Sequence, residues 1–144
     1  MKIMVINGVN LNMIGIREKG VYGTKSYEDI CTDILTYATE KGVEVTLLQS
    51  NSEGEIVNFL QRAYLEQYNG IVINPGAHTH YSYAIADAIT GIEIPAVEVH
   101  LSNIHKREAF RHNSVTASSC IGQICGFGEF GYRMAIDYLI TYVK

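Results

Sequence analysis

Glu98 and His100 stand two residues apart at the end of Ile94-Pro95-Ala96-Val97-Glu98-Val99-His100, an otherwise apolar run that reads as a buried strand. Successive strand side chains point to opposite faces, so Glu98 and His100 share one face while Val97 and Val99 take the other. A carboxylate beside an imidazole is poor core material. It is good material for acid–base chemistry, because the carboxylate fixes the ring's tautomer and stabilises its protonated form. Arg107 and Arg111 follow at i, i+4 spacing. In a helix they would lie on one face and could grip an anion. The stretch also fits a plainer reading, a strand ending in polar residues and then a solvated basic turn; taken by itself it suits both.

A second pair sits in the glycine-bearing loop Gly8–Gly23, where Arg17 and Tyr22 are five residues apart. In isolation they read as solvent-facing loop residues. The sharper reading starts from the phenol, which normally keeps its proton until pH about 10. Arginines held against its oxygen favour the phenolate and make it a usable base. Gly15, Gly20 and Gly23 permit hinge-like movement that could carry such a base over a site and exclude water.

Other chemistries fit poorly. His78-Thr79-His80 would share a face only in a strand, yet they follow a Pro75-Gly76 break and lack a third ligand at a suggestive spacing, so no metal is expected. Asn7-Gly8-Val9-Asn10-Leu11 has one glycine and no Lys-Ser/Thr, unlike a phosphate-cradling or flavin-binding loop. A receiver domain would end strand three in Asp, where this chain has Asn74. Ser102 lacks a nucleophile elbow. Cys31, Cys120 and Cys125 have neither metal nor redox spacing and read as reduced, mostly buried small hydrophobes.

The elements that would position these residues follow from patterning. The 144 residues, 47% hydrophobic and 18% charged, suit one domain spanning 1–144, long enough to bury about 70% of its unfolded surface. A net charge of -4 with no basic run argues against nucleic acid. No apolar stretch approaches the roughly 20 residues of a membrane span, and Asn7-Gly8 interrupts the amino-terminal run too early for a signal peptide, so a cytoplasmic location is the default expectation. The ten tyrosines, with no tryptophan, are expected to supply much of the packing and interface area.

Strands are predicted at Lys2–Asn7, Val43–Gln49, Gly70–Asn74, Ala96–His100 and Gly122–Phe127. Helix one is capped by Ser26, with Asp29 at its third position, and runs through Ile30, Ile34, Leu35 and Ala38 to Lys41, where Gly42 stops it. Helix two is capped by Asn51 or Ser52 and carries Ile56, Phe59, Leu60, Ala63 and Tyr64 on one face. Helix three is capped by Ser82, turns Ala84, Ile85, Ala88 and Ile89 inward and closes at Gly91. A short helical piece is predicted around Lys106–Arg111, and helix four from about Glu129 to Val143. Strict alternation with short connections predicts an α/β, flavodoxin-like three-layer sandwich with a five-stranded parallel sheet in order 2-1-3-4-5. Strands one and three then meet at the switch point, outside whose carboxyl ends ligands bind. Asn7, Asn10, Asn74, His80, Glu98, His100 and Ser102 all fall on that edge.

Across essentially the whole chain the sequence closely resembles the type II 3-dehydroquinate dehydratases. The motifs are Asn7-Gly8-x-Asn10-Leu11, Gly15-x-Arg17-Glu18 to Tyr22-Gly23, Gln49-Ser50-Asn51-Ser52-Glu53-Gly54, Ile73-Asn74-Pro75-Gly76-Ala77-x-Thr79-His80, Glu98-Val99-His100-Leu101-Ser102-Asn103, Arg107-Glu108-x-Phe110-Arg111 and Gly126-Phe127-Gly128-x-x-Gly131-Tyr132. Two departures are Val9, where the family usually has Pro, and Ile16, where another Arg often precedes the loop arginine. The first implies a looser turn after strand one, the second one positive charge fewer.

The resemblance implies loss of water from 3-dehydroquinate through an enolate to 3-dehydroshikimate, without a cofactor, in the shikimate pathway of aromatic amino acid biosynthesis. It implies that Tyr22 takes the proton alpha to the ketone and that His100 protonates the departing hydroxyl. Arg17 would lower the tyrosine's pKa and stabilise the transition state, and Asn10 would help hold the enolate oxygen through water. Leu101 and Ser102 would bind the carboxylate; Asn74, His80 and Arg111 would hold ring hydroxyls. Arg107 would support the loop tyrosine. Asp87 would reach the site of a neighbouring subunit in a dodecamer built from four trimers. A non-enzymatic flavodoxin-like module binding a small anion in the same strand-end pocket is the alternative.

Overall fold

The structure, a computed structural model, describes residues 1–16 and 25–144. Its sheet has five parallel strands, β1 (Lys2–Asn7), β2 (Glu44–Gln49), β3 (Gly70–Asn74), β4 (Ala96–His100) and β5 (Gly122–Cys125), in the order β2-β1-β3-β4-β5. Helices α1 (Tyr27–Glu40), α2 (Glu53–Leu65), α3 (Tyr83–Ile92) and α4 (Phe130–Val143) cover it. The layers follow strand parity. Ile3, Val5, Val72, Val97 and Val99 point to the face where Ile30 and Ile34 of α1 and Ala135, Ile136 and Leu139 of α4 pack. Met4, Ile6, Ile71, Ile73 and Ala96 point to the other, against Ile56 and Leu60 of α2 and Ile85 and Ile89 of α3. β1 and β3 are buried on both sides, as parallel central strands must be.

Helix starts obey their caps. Ser26 accepts from the Asp29 N–H at 3.1 Å while Asp29 reaches back to the Ser26 N–H at 3.2 Å, a complete capping box. Ser52, rather than Asn51, caps α2 by accepting from the Glu55 N–H, and Ser82 caps α3 by accepting from the Ile85 N–H.

Several expectations need correction. β2 begins at Glu44, and β5 stops at Cys125. Gly91 does not close α3: the helix runs to Ile92, and Glu93 takes the left-handed turn at φ 58°. Ala86 and Ile92 also face inward, while Ala84 is exposed. Leu35 and Tyr64 are exposed, and Phe59 only partly buried, because the buried stripes of α1 and α2 are narrower than their apolar content. The three cysteines are free and partly buried. Among the described tyrosines only Tyr68 and Tyr132 are core residues, while Tyr64, Tyr81, Tyr83, Tyr138 and Tyr142 stand in solvent. No described helix is long and apolar enough to cross a membrane.

The segment Lys106–Arg111 is not one helix. It forms two separate 3-10 turns, Ile104–Lys106 and Ala109–His112, with Arg107 extended between them. The segment after β1 carries a defined turn: Leu11–Met13 is a 3-10 turn, and Leu11 and Ile14 are buried against the α1/α4 face. The carboxyl ends of β1 and β3 are drawn tightly together where Gly8 donates to the Asn74 carbonyl at 2.7 Å. A Cβ on Gly8 would lie 2.4 Å from the Pro75 carbonyl oxygen, so only glycine fits this junction.

Candidate active site

A cleft of about 230 Å3 opens at the carboxyl edge of the sheet, beside the β1/β3 switch point. Three strand ends build it. Val9, Asn10 and Leu11 enter after β1, Asn74, Gly76 and His80 from β3 and the turn beyond it, and His100, Leu101, Ser102, Arg107 and Arg111 from β4 and its following turns. Parity decides what each strand presents. Asn7 and Asn74 end their strands on the α1/α4 face, whereas Glu98 and His100 end β4 on the α2/α3 face.

On the α2/α3 side, His100 Nε2 lies 2.9 Å from Glu98 Oε2. An ionised carboxylate only accepts, so Nε2 carries the proton and Nδ1 is the nitrogen left for a ligand. Glu98 is fully buried at 0% exposure, and His100 is nearly so at 6%. Burial alone would push the Glu98 carboxyl up, but donations from His100, Thr116 and Gln123 outweigh it and hold the group below the usual carboxylate range. Glu98 is therefore ionised at neutral pH and can stabilise a protonated His100.

On the α1/α4 side a directed chain of hydrogen bonds fixes the asparagines. The Gly76 N–H donates to Asn74 Oδ1 at 3.1 Å, Asn74 Nδ2 to the Tyr132 hydroxyl at 3.3 Å, that hydroxyl to Asn7 Oδ1 at 2.5 Å, and Asn7 Nδ2 to the Tyr27 hydroxyl at 3.3 Å. Burial pushes the Tyr132 phenol far above its ordinary pKa, so it stays a neutral donor. Asn74 keeps a second N–H and a second oxygen lone pair for a ligand. Tyr132→Phe should leave Asn7 Oδ1 and Asn74 Nδ2 short of a buried partner and lower stability by about 1–3 kcal/mol. Equilibrium denaturation checks this, and a wild-type midpoint and slope would remove Tyr132 from the chain of support.

The remaining predicted residues fall as follows. Asn10 has a left-handed backbone, φ 69°, secured by its N–H donating to Asn51 Oδ1 at 2.9 Å. His80 Nδ1 donates to the Asn113 carbonyl at 2.9 Å, so its Nε2 is the nitrogen left for a ligand, and its ring stands edge-on to Phe110. Arg107 Nη1 reaches Ser102 Oγ at 3.4 Å, and Arg111 Nε reaches Glu108 Oε2 at 3.3 Å. Both arginines line the cleft, but through successive turns instead of a shared helical face. Leu101 is buried and its carbonyl is tied to the Gly128 N–H at 2.9 Å. Asp87 is exposed on α3, outside the lining of this chain's own cleft. Arg17 and Tyr22 lie outside the described residues.

Four supports escaped the sequence reading: Ser114, Thr116 and Gln123 around Glu98, and Tyr132 behind Asn74. Tyr132 belongs to a quoted motif and could have been singled out as a tyrosine in an apolar helical stripe. The other three meet Glu98 from 16 to 25 residues away and carry no local signal.

Order, layers and cleft define a flavodoxin-like α/β protein with a carboxylate–imidazole pair at its ligand edge. The chain belongs to the class II dehydroquinase family, whose model matches residues 1–140. It is 67% identical over 139 residues to a 3-dehydroquinate dehydratase of Clostridium beijerinckii, covering 96% of this chain and 95% of that one. The crystal structure of a type II dehydroquinase from Butyrivibrio crossotus superposes with a TM-score of 0.96 at 55% identity, covering 97% of each chain. A 3-dehydroquinate dehydratase-like protein from Bifidobacterium longum gives 0.75 at 30% identity, covering 100% of this chain and 98% of that one.

Proposed function

We propose that this protein is a type II 3-dehydroquinate dehydratase, a hydro-lyase that removes water from 3-dehydroquinate to give 3-dehydroshikimate in the shikimate pathway. The observation that carries the reading is the buried Glu98–His100 pair at the cleft edge, in a chain whose family is dehydroquinase class II over residues 1–140. The reaction needs a base for the proton alpha to the ketone, a partner for the enolate oxygen, and an acid for the departing hydroxyl. Tyr22, with Arg17 lowering its pKa, is the base. Asn10 holds the enolate oxygen through water. His100, protonated on both nitrogens and held by Glu98, gives its Nδ1 proton to the hydroxyl, which leaves as water while the enolate electrons form the conjugated double bond.

Leu101 and Ser102 hold the substrate carboxylate, and Asn74, His80 and Arg111 its ring hydroxyls, while Arg107 supports the loop tyrosine. No step calls for a cofactor or metal. The reading extends to a cytoplasmic enzyme assembled as a dodecamer, a tetramer of trimers, in which Asp87 reaches a neighbouring subunit's cleft.

The test is ultraviolet absorbance on adding 3-dehydroquinate, because the product is a conjugated enone. A rise proportional to enzyme concentration is the expected result. Binding without any rise, by folded protein, would sink the dehydratase and leave a small-anion binding module. Light scattering of the same sample measures the assembly, and a fully active monomer would exclude a site shared through Asp87.

A further inference from the structure

The carboxylate that holds His100 is itself held, from two other segments. Glu98 and Gln123 are partners in the β4–β5 register, so their side chains leave the sheet on the same face. Gln123 Nε2 donates to Glu98 Oε2 at 2.7 Å. Ser114 Oγ donates to the same oxygen at 2.8 Å, and Thr116 Oγ1 donates to Oε1. Behind them, Thr79 Oγ1 lies 2.8 Å from Ser114 Oγ and 2.6 Å from Thr116 Oγ1, tying the group to the turn that carries His80. A carboxylate at 0% exposure with a single partner would take up a proton or seek another rotamer. Four donors on two oxygens leave it no reason to do either.

We propose that Thr116 and Gln123 are positioning residues for proton donation by His100: they keep Glu98 ionised and fixed, so that Glu98 holds the imidazolium with Nδ1 toward the cleft. The inference rests on the reading of His100 as the acid. Glu98 and Gln123 are not part of the cleft lining, so the effect falls on the proton and not on substrate grip. The titratable groups that face Glu98 among the described residues are His100 on its own strand, Cys120 after the Ala117–Ser119 turn, and Cys125 on β5. Burial pushes the thiols up, Cys120 to about 12 and Cys125 to about 11, with the Glu98 charge adding to both. Both stay neutral through the acid range, so Glu98 adds its own step to the acid limb of the turnover profile, beside the one set by the Tyr22 base. Losing a donor to a carboxylate raises its pKa, so this limb must move up, not down.

The experiment compares Thr116→Val, which keeps the shape and removes the hydroxyl, with Thr116→Ser, which keeps the hydroxyl, and with Gln123→Met on the exposed edge strand. Turnover is measured against pH with saturating 3-dehydroquinate, and the Glu98 carboxyl is titrated by carbon-13 NMR in the unliganded protein. Thr116→Val and Gln123→Met should each lose about tenfold in kcat near neutrality or below, with KM holding within about twofold, and their acid limb should rise by about one pH unit. The Glu98 midpoint should rise with it, and Thr116→Ser should return most of the loss. An unmoved Glu98 midpoint, or a kcat scaled down equally at every pH with serine no better than valine, would overturn the proposal. If Thr116→Val fails to fold, Gln123→Met and Thr116→Ser still decide it. If the wild-type chain failed to dehydrate the substrate, the function would fall while the NMR titration still judged the clamp.

Discussion

His100→Ala should lower turnover by about 10²–10⁴-fold, the usual worth of a positioned proton donor. The ring's Nε2 is committed to the Glu98 carboxylate at 2.9 Å, whereas the other described imidazole in the cleft lining, His80, gives its Nδ1 proton to the Asn113 carbonyl. Guanidinium groups hold their protons too tightly to serve as acids. The fold should survive the change, because Glu98 keeps Ser114, Thr116 and Gln123. Substrate affinity should fall much less than turnover, since the grip is assigned to Asn74, His80, Ser102 and Arg111. Steady-state kinetics on protein with a wild-type melting curve checks this. Turnover within a few-fold of normal would take His100 out of the mechanism.

Tyr22→Phe is expected to cost a similar 10²–10⁴-fold, by removing the base and keeping the ring. The two variants should differ in one decisive respect. Without the acid, Tyr22 can still form the enolate, so His100→Ala should continue to exchange the substrate's alpha hydrogen with deuterated solvent. Without the base, Tyr22→Phe should not. Mass spectrometry of recovered substrate reads this directly. Exchange that persists in Tyr22→Phe and vanishes in His100→Ala would reverse the two assignments.

Much of the fold was legible because α/β alternation is written in local periodicity. Strand parity alone placed Glu98 and His100 on one face, and Ser26, Ser82 and the Asn51-Ser52 pair announced three helix starts. Helix ends were harder. Glu93 closes α3 in a left-handed turn that a non-glycine residue does not advertise, so Gly91 was a false stop. Apolar residues such as Leu35 and Tyr64 misled because apolar character does not compel burial. The pairing of Arg107 with Arg111 was foreseen for the wrong reason: the turns bring both to the cleft without the helix that the spacing suggested. The hydroxyls and amide around Glu98 were invisible because a contact between β4 and residues 114–123 is a tertiary fact, with no period to reveal it.

Strand parity has a last consequence, for how this cleft can change. The amides of Asn7 and Asn74 are supported from α1 and α4, and the Glu98–His100 pair from β5 and the turns on the opposite face, through two hydrogen-bond systems with no member in common. Energetic effects add when sites share no partner. Selection, or a protein engineer, can therefore rework the Asn7–Asn74 side of the cleft and leave the delivery of the proton on the other side intact.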